Sequence, residues 1–513
     1  MNRRLLALGP LLVIALLRAA TLGAQTTPPS GTPSLAAATI TAADVRRRIA
    51  VIADDSMRGR ATPSPELEKT AAWVAAEMAR LGLRPGGDGG GFQQRYAIRT
   101  KALDPPASTA SFAGVPLRFG RDVAPAYAFL LPDGELAGPL VIVSGTGLAA
   151  NALAGVSFAG RHVLIVPPAG SDTRTPTVAA VVRAALAARP LAVWLASDRD
   201  DADWAARANA ELRRQHRAVG EPEVLSAVVV RDAVVEPALA AAGVQLAALR
   251  GRGRQGVRVD QAPGVRVVLA ARVRLIEEAS APNVVAILPG SDPLLRDQYV
   301  VFSAHMDHVG VGPPSATGDS IFNGADDDAS GTATVVELAE AFASLDPRPR
   351  RSLLFLVVSG EERGLWGSEW FAVHPPVPIR QLVADVNIDM IGRNWRDTIV
   401  AIGRKHSDLG ATLARVNAAH PEIGMTVIDD PWPQESFYTR SDHFNFARRG
   451  VPILFFFSGT HADYHEPSDE VAMIDAEKTA RIGRLLFHLG LEVANRIEPP
   501  AWNPESYRAI VGR

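Results

Sequence analysis

From Asn283 onward, five short and almost unbroken apolar runs alternate with stretches of helical spacing: Val284 to Leu288, Tyr299 to Ser303, Leu353 to Val358, Val383 to Ile388 and Ile453 to Phe457. Runs this short, apolar at nearly every position, read as strands buried on both faces. Helices at Thr332 to Ala343 and Glu477 to Asn495 supply the cover, so the pattern predicts an α/β fold: a mixed sheet with helices on both faces. Ligands of such sheets gather beyond the carboxyl ends of the strands, and the polar residues of this region fall in those places.

Earlier in the chain, Thr41 to Ala53 and Glu66 to Leu81 carry apolar residues at helical spacing, with Gly82 and Pro85 closing the second helix. Between about Pro105 and Ser280 the texture changes to short β-branched runs separated by Gly and Pro, which predicts an inserted, strand-rich domain. At 513 residues and 47% apolar composition the chain buries a sizeable core, and length alone predicts two or three domains. The expected division is a signal over 1–24, a mobile leader over 25–39, an N-terminal part of the main domain over 40–104, the insertion over 105–280, the catalytic part over 281–497 and a tail over 498–513.

The first residues, Met1 to Arg4 followed by the apolar run Leu5 to Leu17, have the charged and apolar regions of a secretory signal. The run is short and broken by Arg18, so the protein is expected to be exported, to periplasm or medium, with no stable membrane insertion after cleavage near Ala24. A balance of 53 Lys and Arg against 55 Asp and Glu leaves a net charge of -2 and no field directed at nucleic acid. There is no cysteine, which excludes disulfides, thiolate ligands and a lipid anchor on cysteine. Any metal must be held by His, Asp and Glu.

Five clusters carry chemistry. Ser303-Ala304-His305-Met306-Asp307-His308 follows a strand; His305 is placed to ligate a metal while Asp307 accepts its other ring N–H. Asn323 to Gly331 places Asp326, Asp327 and Asp328 side by side before a helix, where they repel unless a cation or the helix terminus offsets them; a carboxylate bridging two metals is the functional reading. Glu361-Glu362 follows a buried strand, and such a pair divides labour, one binding metal and the other taking a proton from water. Asp389 ends a buried strand and needs a metal or an arginine, Arg393 being nearest in sequence. His465 lies in Asp463 to Asp469, with Asp469 as its support. Each alone has an ordinary structural reading, as a capped turn or a loop histidine. Together they place imidazoles and carboxylates after strands of one sheet, a donor set suited to zinc ahead of manganese or cobalt.

These motifs, with Gly364-Leu365-Trp366-Gly367-Ser368 and Ser441-Asp442-His443, resemble the co-catalytic di-zinc aminopeptidase family, which also includes glutamate carboxypeptidase-like members. Met57-Arg58-Gly59-Arg60 and Gly91-Phe92-Gln93-Gln94 look like the start of that family's peptidase domain, and the insertion is similar in position to a protease-associated domain. The resemblance implies a zinc-exopeptidase-type sheet and two Zn2+ per chain, one held by His305, Asp327 and Asp389 and the other by Asp327, Glu362 and His465. It implies Glu361 as general base, Asp307 as the support of His305, and Tyr438 as the donor to the oxyanion. The implied activity is removal of the N-terminal residue from peptides with a free amine. A carboxypeptidase or dipeptidase on the same fold would need a cation for the substrate carboxylate, for which Arg393, Arg440 and Arg448 are available. A single-zinc glutaminyl cyclase and a binding module on an inactive scaffold fit the filled ligand positions less well. Trp366, Trp370, Trp432 and Phe437 are candidates for an apolar pocket. Oligomeric state and side-chain preference leave no mark on the sequence.

Overall fold

The computed structural model describes residues 31–145, 153–251 and 256–512; the expected signal, and most of the expected leader, lie outside them. Two large sheets organise the chain. The first runs in the order Thr426–Ile428, Thr398–Ile402, Ile453–Phe457, Leu382–Ile388, Tyr299–His305, Ser352–Val358, Val273–Leu288, Gln93–Leu103 and His216–Val219, with Arg84–Pro85 pairing beside Val273–Leu288. Its four central strands, from Ile453–Phe457 to Ser352–Val358, are parallel, and the strand flanking them on each side, Thr398–Ile402 and Val273–Leu288, pairs antiparallel. This is the mixed α/β sheet that the apolar runs predict.

Alternation across the sheet explains why those runs have no polar face. Val300, Phe302, Leu353, Phe355 and Val357 enter the core on one side, and Val301, Leu354, Leu356 and Val358 the core on the other. The first core is covered by the helices Ala42–Ile52, Pro65–Arg80, Gly331–Ala343 and Ala476–Asn495; Phe371 and Phe446, from Trp366–Val373 and His443–Ala447, cover the second. Local chemistry sets the helix starts: Ser64 accepts from the Leu67 N–H ahead of Pro65, and Asp475 accepts from the Lys478 N–H. Phe302 stacks on Phe355 at 5.7 Å and touches Phe342 at 5.5 Å, a burial that contributes about 1.5–3 kcal/mol. Gly490 lets the last long helix approach, since a Cβ there would lie 2.3 Å from Phe302 Cζ.

The second sheet runs Val115–Leu117, Thr109–Phe112, Arg258–Ala271, Gly134–Ser144, His162–Val166, Val193–Ser197, Ala227–Arg231 and Val123–Pro125. It has a core on each face, one around Phe112 and Trp194 and one around Phe158 and Trp204. The strand-rich texture therefore also carries helices, at Pro176–Ala187, Asp201–Leu212, Asp232–Ala241 and Leu246–Gly251. One strand of this stretch, His216–Val219, instead joins the edge of the first sheet against Ile98 to Lys101.

Two segments outside the expected domains are built. Within the expected leader, Pro33–Ala38 is helical, started by Thr32 and buried through Ala36 and Ala37, whose small side chains fit against the core. In the expected tail, Pro504–Ile510 is a helix capped by Asn503, and Trp502 Nε1 donates to the Gly450 carbonyl at 2.9 Å. Among the described residues no helix is long and apolar enough to cross a membrane.

Candidate metal centre

The loops after all four central parallel strands converge. His305 ends its own strand, Glu361 and Glu362 follow Ser352–Val358, Asp389 follows Leu382–Ile388, and His465 lies beyond Ile453–Phe457. The Asp326 to Asp328 turn enters beside them ahead of Gly331–Ala343, with a cis peptide between Asp327 and Asp328. The register that pairs Phe302 with both Phe355 and Val386 brings these strand ends level.

Two groups of donors result. In one, the Nε2 of fully buried His305 lies 3.3 Å from Asp327 Oδ1 and 3.5 Å from Asp389 Oδ1. His305 Nδ1 faces the backbone carbonyl of Asp307 at 3.1 Å, which fixes the outward nitrogen. Asp389 Oδ2 accepts from Ser441 Oγ at 2.9 Å, while Oδ1 has no hydrogen-bond partner among the described residues. In the other group, His465 Nε2 lies 3.1 Å from both Asp327 Oδ2 and Glu362 Oε2. His308 Nδ1 lies 2.8 Å from Glu362 Oε1 and 3.6 Å from Asp327 Oδ2. Asp327 is common to both groups and turns one oxygen to each; within each group the donor atoms lie within 4.8 Å of one another.

The charges are tightly balanced. Burial pushes the Asp327 carboxyl up, but the imidazoles of His308, His305 and His465 outweigh it and hold it well below the usual carboxylate range. Burial raises Glu361 well above that range, with Asp442, Asp389 and Glu362 adding to the effect and His305 opposing it. No lysine or arginine among the described residues bonds Asp327, Asp389, Glu361 or Glu362. Buried carboxylates without such partners, the orphaned Asp389 Oδ1 and His465 Nε2, and a donor set of imidazole and carboxylate together fit a metal ion.

Glu361 lines a small open cavity with His305, Asp327, Asp389, Phe437, Arg440 and Tyr464. The structure corrects several expected contacts around it. The Asp307 carboxylate does not hold His305, lying 3.8 Å from Nδ1; it accepts from the Glu361 N–H at 3.2 Å and Thr62 Oγ1 at 2.9 Å, because the nearer Asp307 carbonyl takes the imidazole. Asp469 accepts the N–H groups of Asp326 and Asp327 rather than supporting His465. Arg393 pairs with Asp463 at 2.5 Å and Arg448 with Glu369 at 2.8 Å, so of the three arginines Arg440 is the one at the cavity. Tyr438 packs on His406 and His443 with its hydroxyl buried and unpartnered, and it does not line the cavity. Tyr464 does, stacked on His465 at 3.9 Å. Of the four aromatic candidates, Phe437 lines the cavity, Trp432 packs behind it at 5.7 Å, and Trp366 and Trp370 belong to the main core.

His308 and Tyr464 are the two residues that the sequence reading passes over. Each had a signal in plain sight, being the last residue of the Ser303 to His308 motif and the neighbour of His465.

Residues 283–490 match the model of Peptidase family M28. A protein of Pyrenophora teres f. teres (strain 0-1) named "Probable zinc metalloprotease" is 37% identical over 122 residues, 24% of this chain and 25% of that protein. One of Arthroderma benhamiae named "Probable leucine aminopeptidase" is 25% identical over 236 residues, 44% of this chain and 62% of that protein. The chain thus spans a quarter to under two thirds of the length of these curated relatives. Among solved structures, the aminopeptidase from Aneurinibacillus sp. strain AM-1 aligns over 91% of this chain and 98% of its own at 19% identity, with a TM-score of 0.47.

Proposed function

From the match of residues 283–490 to Peptidase family M28, we propose that this chain is a two-zinc metallo-aminopeptidase acting on peptides with a free N-terminus. The observation that carries the reading is Asp327, whose two oxygens face two separate His and carboxylate groups. His305, Asp327 and Asp389 would hold one zinc, and Asp327, Glu362 and His465 the other. When bound, the pair would lower the pKa of a water held at the centre towards neutrality and polarise the scissile carbonyl.

The residues around that pair divide the remaining work. Glu361, held in place through its N–H by Asp307, takes the water's proton and delivers it to the leaving amine. The Tyr464 hydroxyl, in place of Tyr438, supplies the donor to the developing oxyanion, a contribution of about 3 kcal/mol. Ser441 keeps the Asp389 oxygen Oδ1 turned to the metal by occupying Oδ2. Burial of His305, Asp327 and Asp389 excludes water that would otherwise compete on that side.

The reading extends to the rest of the chain: export directed by residues 1–24, and a protease-associated-like unit over 105–280 inserted between the two parts of the peptidase domain. Arg440 at the cavity favours a second reading, a carboxypeptidase or dipeptidase in which its guanidinium binds the substrate carboxylate.

The test is zinc content together with hydrolysis of free and N-acetylated aminoacyl anilides by the intact protein and Glu361→Gln. About two zinc per chain, cleavage of the free-amine substrate alone, and a loss of roughly 10²–10⁴-fold in the variant are the expected outcomes. Metal uptake without cleavage of either anilide moves the Arg440 reading ahead, and absence of metal uptake refutes both.

A further inference from the structure

We infer that His308 is a fourth protein ligand of the zinc on the Asp327, Glu362 and His465 side, closing that site and leaving the only open coordination corner on the His305 side. The inference rests on the two-zinc reading above.

Zinc bonds of about 2.0–2.1 Å to nitrogen and oxygen in a tetrahedron set neighbouring donors about 3.3 Å apart. The separations around this group bracket that length: 2.8 Å from His308 Nδ1 to Glu362 Oε1, 3.6 Å from His308 Nδ1 to Asp327 Oδ2, and 3.1 Å from His465 Nε2 to each carboxylate. Four residues therefore each offer a donor atom, and those atoms lie within 4.8 Å of one another. On the other side the separations are 3.3 and 3.5 Å, but only three residues contribute. Closed four-ligand zinc sites are structural, and three-ligand sites keep a position for water or substrate.

The His308 ring is fixed in this direction. It is fully buried and packs against Gly324, where an added Cβ would lie 2.6 Å from ring Cγ and Cδ2. Gly324 adopts φ +57°, so the turn that places Asp327 also confines the imidazole. His308 Nε2 has no partner among the described residues, which leaves Nδ1 as the nitrogen engaged with the site. The consequence is inequality: the closed side binds its zinc more tightly and fills first, while the His305 side carries the exchangeable position next to Glu361.

The experiment is X-ray absorption at the zinc edge of the full-length protein loaded with one equivalent of zinc, joined to zinc affinity measured by chelator competition for the intact protein and His308→Ala. Two imidazoles per zinc in the singly loaded protein, and a loss of more than about 100-fold in affinity for the first equivalent in the variant, are expected. A partner that only orients a ligand costs about 10–100-fold. A loss within or below that range, with one imidazole per zinc, means that His308 merely hydrogen-bonds Glu362 and overturns the assignment. If His308→Ala does not fold, the imidazole count of the intact protein decides alone. A protein that takes up no zinc refutes the two-zinc reading itself, whereas two zinc bound with one imidazole at the first site refutes this inference only.

Discussion

Arg60→Met should cost the zinc-free protein at least about 3 kcal/mol of stability. The Arg60 side chain is fully buried and bonds no carboxylate; instead it donates to four backbone carbonyls, those of Met306 at 2.8 Å, Ile52 at 2.9 Å, Asn323 at 2.6 Å and Gly324 at 3.1 Å. Met306 lies between His305 and Asp307, and Asn323 and Gly324 precede the Asp326 to Asp328 turn, so one guanidinium ties both halves of the metal centre to the N-terminal part of the chain. Hydrogen bonds from a charged donor contribute about 1.5–3 kcal/mol each, or about 6 kcal/mol for four at the low end. Burial lowers the guanidinium's pKa to about 10, a penalty of about 3 kcal/mol that methionine would relieve. The difference is the predicted loss, read by urea unfolding of zinc-free protein so that metal binding does not mask it. Arg58→Met, at an exposed neighbour, should change stability by less than about 0.5 kcal/mol. A loss below about 1 kcal/mol for Arg60→Met would show that the carbonyls find other partners and that the clamp is dispensable.

Three further outcomes follow from other contacts. Asp327→Asn, which deprives one of the two groups of its oxygen, should lower zinc content from the proposed two per chain to one or none by atomic absorption, and retention of two would refute the sharing. His162 is buried, accepts from Trp194 Nε1 at 3.1 Å and faces the Leu136 carbonyl at 3.2 Å, and burial lowers its pKa to about 4. As pH falls from about 6.5 to 4 the unfolded chain gains a proton that the folded chain refuses, so stability should fall by up to about 3 kcal/mol; His162→Gln should flatten that slope in unfolding curves. Ser303 Oγ lies 2.8 Å from both Asp385 Oδ1 and Asn387 Oδ1, and one hydroxyl proton serves both only if Asp385 keeps its own. Burial pushes Asp385 up to about 8, so its stabilisation is full below about pH 4 and fades as pH rises to 8. Asp385→Asn should therefore melt higher than the parent at pH 8 and not at pH 4, and equal melting shifts at both would count against a retained proton.

The strands and helices of the first sheet were legible because both-face burial leaves runs with no polar interruption and Ser64 and Asp475 mark helix starts. His305, Asp327, Glu362, Asp389 and His465 were legible as a set because each follows a strand or opens a helix, and the fold brings those ends to one place. What failed was direction after the strand ends. Loop residues such as Met390 and His465 adopt left-handed backbone, at φ +54° and +57°, and such turns decide which side a chain neighbour faces. So Tyr464 reaches the cavity while Tyr438, at the expected spacing from Ser441, points into packing. The role of Asp307 was misjudged because a backbone carbonyl competes for the same imidazole N–H, and carbonyls leave no trace in a sequence. The assignment of His216–Val219 to the first sheet was equally invisible, since edge pairing depends on where the insertion returns.

The strands Gln93–Leu103 and Val273–Leu288 are antiparallel neighbours in the first sheet, and their far ends pair Leu103 with Val273. Topologically the intervening residues replace the turn of a hairpin. Their two ends enter and leave side by side, so a short turn could join Leu103 to Val273 and carry the chain directly from one strand to the next. Excision would remove the edge strand His216–Val219 but none of the loops that hold His305, Asp327, Glu361, Glu362, Asp389 or His465. The first sheet is in this sense a cassette with one interchangeable end, set apart from the loops that carry the metal-ligating side chains.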